Sequence, residues 1–116
     1  MQFAEILKSA EAEGKEKHVP TIEVIREHAG EKVDLIHVTV GKETPHPNTT
    51  EHHIVWVDVF GVKKENGQVI NLGRAAFGPA FTSPNISLHT PLDQFKAICA
   101  LSYCNVHGLW QNCIEI

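Results

Sequence analysis

Residues 53–63 read H-I-V-W-V-D-V-F-G-V-K, followed by K-E-N-G at 64–67 and Q-V-I-N-L-G-R-A-A-F at 68–77. β-Branched and aromatic residues crowd both flanks, a composition that fits a pleated, half-buried surface. Asn66-Gly67 between them is a strong hairpin signal, because both residue types tolerate the positive φ that a tight turn requires. The stretch therefore reads as two antiparallel strands. Working outward, Thr21 to Glu27, Val33 to Val40, Phe95 to Tyr103 and Leu109 to Ile116 have the same character and are bounded by turn residues. The segment 78–91, with prolines at 79, 84 and 91, reads as a long connection with room for one more short strand. Several short strands without interleaved helices point to an all-β fold, an immunoglobulin-like antiparallel β-sandwich.

One short helix is expected before the strands. Phe3, Ile6, Leu7 and Ala10 fall at i, i+3, i+4 and i+7, and Gly14 would end the helix near Glu13. At 116 residues, the chain is expected to form a single domain over 1–116. It is 42% hydrophobic and 21% charged, as folded proteins are, and its apolar runs are too short to cross a bilayer. Glu5, Lys8, Glu11 and Glu13 interrupt the region where a secretory leader would be apolar, so a cytoplasmic location is expected.

Ten basic and 14 acidic residues give a formal charge of -4, with no basic excess for nucleic acid. An anionic substrate would need a local attractor. The three cysteines, Cys99, Cys104 and Cys113, form no C-x-x-C pair and are odd in number, so reduced thiols or a metal ligand are expected, not a disulfide framework. Cys99 and Cys113, inside the last two apolar strands, are expected to pack in the core.

Eight histidines are many for this length, and several stand in short polar stretches. Cys104-Asn105-Val106-His107-Gly108 puts a thiolate donor and an imidazole three positions apart, on a turn between the last two strands. His46-Pro47-Asn48-Thr49-Thr50-Glu51-His52-His53 offers imidazoles at both ends of a loop that runs into a strand. Glu16-Lys17-His18 precedes an extended segment, since Val19 stands before Pro20. Each element alone is as well explained as a solvated loop. Together they offer more donors than the four of a structural zinc site, and the set suits a redox iron with one open position. Strand alternation alone does not choose between His52 and His53.

The segments E-K-H-V-P (16–20), H-P-N-T-T-E-H-H (46–53) and C-N-V-H-G (104–108) resemble, in order and spacing, the single-iron superoxide reductases of neelaredoxin type, in the desulfoferrodoxin superfamily. That resemblance implies an immunoglobulin-like fold and one mononuclear non-haem iron per chain. It implies His18, His46, His52 and His107 as equatorial ligands and Cys104 as the axial thiolate. It implies the one-electron reduction of superoxide to hydrogen peroxide, a detoxification reaction. Lys17 would attract the anion, and Glu16 would fill the open position once the iron is oxidised. A rubredoxin-like electron donor and a homotetramer are also implied. The family pattern selects His52; His53, on a face with Val55, Val57 and Val59, is left to packing or to supporting a ligand.

Two other readings compete. A copper electron-transfer protein of β-sandwich type would use two histidines, one cysteine and a weak axial ligand, for which Met1 or Gln111 would have to serve. A structural zinc domain or plain binding module would leave most histidines ordinary, as His28, His37 and His89 are expected to be in any case.

Overall fold

The computed structural model describes residues 1–12, 17–27 and 33–116. Among the described residues, seven strands follow a short N-terminal helix α1 (Phe3–Ile6) and a 3-10 turn at Ala10–Ala12: β1 (Thr21–Ile25), β2 (Leu35–Thr39), β3 (Ile54–Lys63), β4 (Val69–Ala76), β5 (Asn85–His89), β6 (Phe95–Cys104) and β7 (Gly108–Glu115). They form two antiparallel sheets, β1-β2-β5 and β4-β3-β6-β7. This is the expected sandwich, and β5 is the further short strand within 78–91.

The β3–β4 hairpin forms where Asn66-Gly67 predicted it. Gly67 takes a φ of 70° and its N–H bonds the Lys63 carbonyl at 3.0 Å, while the Asn66 side chain accepts the Gln68 N–H at 2.9 Å. The core lies between the sheets and is built from inward-facing positions of both, with Ile36, Val38, Val57, Val59, Leu92 and Ile98 fully enclosed. Gly61 is required by a close approach: a Cβ there would stand 2.6 Å from the Phe95 ring.

Three expectations are corrected. The helix stops at Ile6, because Leu7 is extended and the backbone of Lys8 pairs instead with β7 beside Trp110. Its expected end at Gly14 falls outside the described residues, as do Glu16 and His28. Cys99 and Cys113 are not core thiols but a disulfide bridge between β6 and β7, where they are direct register partners; Cys113 is exposed. Finally, the β3–β6 register shifts between Ile54 and Trp56, which brings Ile54 into the core and takes Val55 out of it. His53 therefore does not share one continuous face with Val57 and Val59. Among the described residues no helix is long and apolar enough to cross a membrane.

Candidate metal centre

The three histidine- and cysteine-bearing segments meet at one end of the sandwich, each held there by side chains of its neighbours. Residues 17–20 enter β1 across the inner edges of β6 and β7. Ser102, fully buried on β6, donates its hydroxyl to the His18 carbonyl at 2.8 Å. Asn112 of β7 donates its amide to the Pro20 carbonyl at 2.9 Å. Pro20 fixes its own φ and keeps Val19 extended, so His18 is aimed inward from a short rigid lead-in.

The loop after β2 turns sharply at Gly41, whose φ is 79° and where a Cβ would collide with the backbone nitrogen of His46. His46 follows, 6% exposed, with Nδ1 2.7 Å from the Pro47 carbonyl. A carbonyl only accepts, so Nδ1 carries the proton and Nε2 presents a lone pair. Residues 49–52 close on themselves, with the Thr49 N–H bonded to the His52 carbonyl at 2.9 Å and the His52 N–H bonded to the Thr49 hydroxyl at 3.0 Å.

Cys104 ends β6 fully buried, and Gly108, at φ 83°, lets the chain reverse into β7. Between them Asn105 ties the turn to the histidine loop. Its side-chain oxygen accepts the His53 N–H at 2.9 Å, and its amide donates to the Glu51 carbonyl at 2.9 Å. His53 itself is 9% exposed and places Nδ1 3.0 Å from the Thr49 carbonyl, so it braces the loop.

The result is a closed circuit of four imidazoles. Ring centroids run His18 to His46 at 4.7 Å, His46 to His52 at 4.8 Å, His52 to His107 at 5.0 Å and His107 to His18 at 4.9 Å, every contact edge to face. The donor atoms of His18, His46, His52 and Cys104 all lie within 4.8 Å of one another. His107 stands beside them, its Nδ1 3.1 Å from His18 Nε2 and 3.9 Å from Cys104 Sγ. Cys104 Sγ is 3.6 Å from His46 Nε2 and accepts the His107 backbone N–H at 3.4 Å. Three imidazoles and one sulfur thus lie close enough to share one transition metal, and a fourth imidazole, His107, adjoins two of them.

Lys17, next to His18, is exposed and lines a surface concavity together with Lys42. Gln111 alternates with the inward-facing Trp110 along β7 and so points to the other side of the sheet, while Met1 is 98% exposed. The axial ligand of the copper reading is thus missing, and that reading would leave two of the four gathered histidines unused. Sequence reasoning did not single out Ser102, Asn105, Trp110 or Lys8, all of which contact these segments. Asn105 alone carried a signal, being inside the C-N-V-H-G motif.

Fold and site together define a β-sandwich metalloprotein with a histidine and thiolate centre at one end. The desulfoferrodoxin family model matches residues 10–113, and the chain belongs to that family. A superoxide reductase of Pyrococcus abyssi is 43% identical over 114 residues, which cover 95% of each protein. Among solved structures, a superoxide reductase crystallised in its oxidised state superposes with a TM-score of 0.85 at 36% identity, over 99% of both chains. A superoxide reductase of Giardia intestinalis, described as having one iron, gives 0.77 at 31% identity, over 88% of this chain and 100% of that one.

Proposed function

We propose that this chain is a superoxide reductase: O2•− + e− + 2 H+ → H2O2, at one non-haem iron held by His18, His46, His52, His107 and Cys104. The closed circuit of four imidazoles beside a buried thiolate is the observation that carries the reading. It rests also on membership of the desulfoferrodoxin family and on relatives that are themselves named superoxide reductases.

When bound, the iron supplies the single electron. The protein's own groups do the rest. His46 offers Nε2 because its Nδ1 proton is committed to Pro47, and the His107 N–H, 3.4 Å from Cys104 Sγ, fixes where that sulfur sits. Lys17 gives an anion a local positive charge on a chain whose net charge is negative, and its ammonium can order the water that delivers a proton. Glu16 is assigned to closing the oxidised site on family resemblance. A rubredoxin-like protein is assigned as electron donor on the same ground. The homotetramer has further support in apolar surface that subunit contacts would cover, since Phe3, Ile6 and Phe81 are 58%, 55% and 94% exposed. The reading places the protein in the cytoplasm, where ferrous iron and a reduced Cys104 persist, and the Cys99–Cys113 bridge is the feature at odds with that compartment.

The decisive experiment is anaerobic reconstitution against competing iron, copper and zinc, with Cys104→Ser as control. The expected outcome is about one iron per chain with a visible thiolate-to-iron band that the control lacks. Reduction then yields one peroxide per superoxide consumed, where dismutation would yield one for every two. Lys17→Ala should slow the reaction and flatten its dependence on ionic strength. Copper or zinc retained in place of iron would overturn the assignment.

A further inference from the structure

We infer that Trp110 and Lys8 form a strap that positions His18 and His107, two metal-holding residues from opposite ends of the chain. The inference rests on the ligand reading above and adds two residues to it. Trp110 is 3% exposed and uses both its face and its edge. The indole lies parallel to the His18 imidazole, with centroids 4.5 Å apart and planes 12° from parallel. Its N–H donates to the His107 carbonyl at 3.2 Å.

The same carbonyl accepts a second hydrogen bond, from the Lys8 ammonium at 3.0 Å. That ammonium stands 5.3 Å from the centre of the indole ring, on which it makes a cation–π contact. Lys8 is held in place by its backbone, whose N–H bonds the Leu109 carbonyl at 3.3 Å and whose carbonyl accepts the Gln111 N–H at 2.8 Å. Residue 8 is thus a one-residue parallel extension of the sheet beyond β7.

Each contact removes one freedom from a ligand. A parallel stack is lost when the His18 ring rotates about its Cβ–Cγ bond, so the indole selects one ring plane for that imidazole. A carbonyl that holds two donors cannot tilt without breaking both, so the backbone from which the His107 side chain hangs is fixed. The Lys8 charge has a further effect. It lies beside a centre whose oxidised state carries one more positive charge than its reduced state, and like charges repel, so Lys8 favours the reduced state. Neither residue reaches the gathered donor atoms; both are positioning residues.

The test uses the full chain and the variants Trp110→Leu, Trp110→Phe, Lys8→Met and Lys8→Arg. Iron(II) retention against a competing chelator, the thiolate-to-iron band of the oxidised protein, the midpoint potential and the melting of the metal-free protein are measured for each. Trp110→Leu, which removes both stack and donor, should weaken iron binding by about 10- to 100-fold, as loss of a group supporting a ligand does. Trp110→Phe keeps a ring to stack on and should lose less. Lys8→Met should weaken binding by about two- to fivefold, the size of an exposed cation–π contact. It should also lower the midpoint potential and shift the band, with the metal-free protein melting only about 2–4 °C lower, and Lys8→Arg should restore binding, potential and band. Lys8 is exposed, so its variants carry the test even if Trp110→Leu does not fold. Folded variants that retain iron within about twofold of wild type, with band and potential unmoved, would overturn the strap. A wild-type chain that retains no iron would overturn the ligand reading and the strap together, and that result appears before any substitution is made.

Discussion

Asn105→Ala should destabilise the protein and loosen the histidine loop together, because one side chain does both jobs. Two hydrogen bonds of 2.9 Å are lost, one from the His53 N–H and one to the Glu51 carbonyl. Asn105 is exposed, so water replaces it readily at Glu51, and that bond is worth about 1 kcal/mol or less. His53 is buried, and leaving its N–H without an acceptor costs about 1–3 kcal/mol. Together the loss comes to about 2 kcal/mol. With about 2.1 cal/mol/K of unfolding entropy per residue, a chain of this length should melt about 8 °C lower. Hydrogen exchange isolates the mechanism, since the His53 amide should lose protection while amides in β2 keep theirs relative to global unfolding. A variant that melts within about 2 °C of wild type, or that keeps His53 protected, would refute the claim that Asn105 ties the two segments.

Other parts of the structure make equally direct claims. Breaking the Cys99–Cys113 bridge, by reduction or by Cys99→Ser with Cys113→Ser, releases a loop closed over a sequence separation of 14 and should cost about 3 kcal/mol, read from denaturant midpoints. Gly61→Ala would drive a Cβ into the Phe95 ring and should cost about 1–3 kcal/mol by the same measurement. Asp34 accepts backbone N–H bonds from Leu92 and Glu27, which hold its carboxyl below the ordinary aspartate range. Its stabilising contribution is therefore fully present above about pH 3.9 and is lost as pH falls through the lower folded value. Asp34→Asn should accordingly be less stable than wild type at neutral pH, with the gap closing in acid; a gap that widens in acid would refute the sign.

The strands were legible because each carries its own signal: β-branched residues in short runs, with Asn-Gly or proline between them. What the sequence hid were contacts that depend on which strand lies beside which. The spacing of Phe3, Ile6, Leu7 and Ala10 suggested a helix, but a four-residue helix has little stability of its own, and the unpaired edge of β7 offers Lys8 two backbone hydrogen bonds. Phe3 and Ile6 consequently remain exposed. Counting cysteines as odd argued against a disulfide, yet the register that pairs Cys104 with Gly108 across the turn also pairs Cys99 with Cys113 further down the hairpin. Parity says nothing about register. His53 was placed by strict alternation, which fails where β3 shifts register after Ile54.

The candidate site was legible for a different reason. Histidine and cysteine are chemically conspicuous, and three loops rich in them stand out before any fold is known. Their supports do not. Ser102, Asn105, Asn112 and Trp110 are ordinary residues on or beside β6 and β7, and each reaches the backbone of a donor-bearing segment or the residues next to it. The two segments from the first half of the chain are thus tied to the last hairpin by side chains that bond main-chain atoms. Such bonds order the loops without occupying a single imidazole nitrogen of the circuit. The hairpin thus sets the positions of the donor-bearing segments through their main chains. Because the donors span residues 18 to 107, closing the site requires both sheets to be in place, so iron binding should be tightly linked to folding. The cost of ordering these loops falls on the folding of the protein, which leaves the metal to meet donors already gathered.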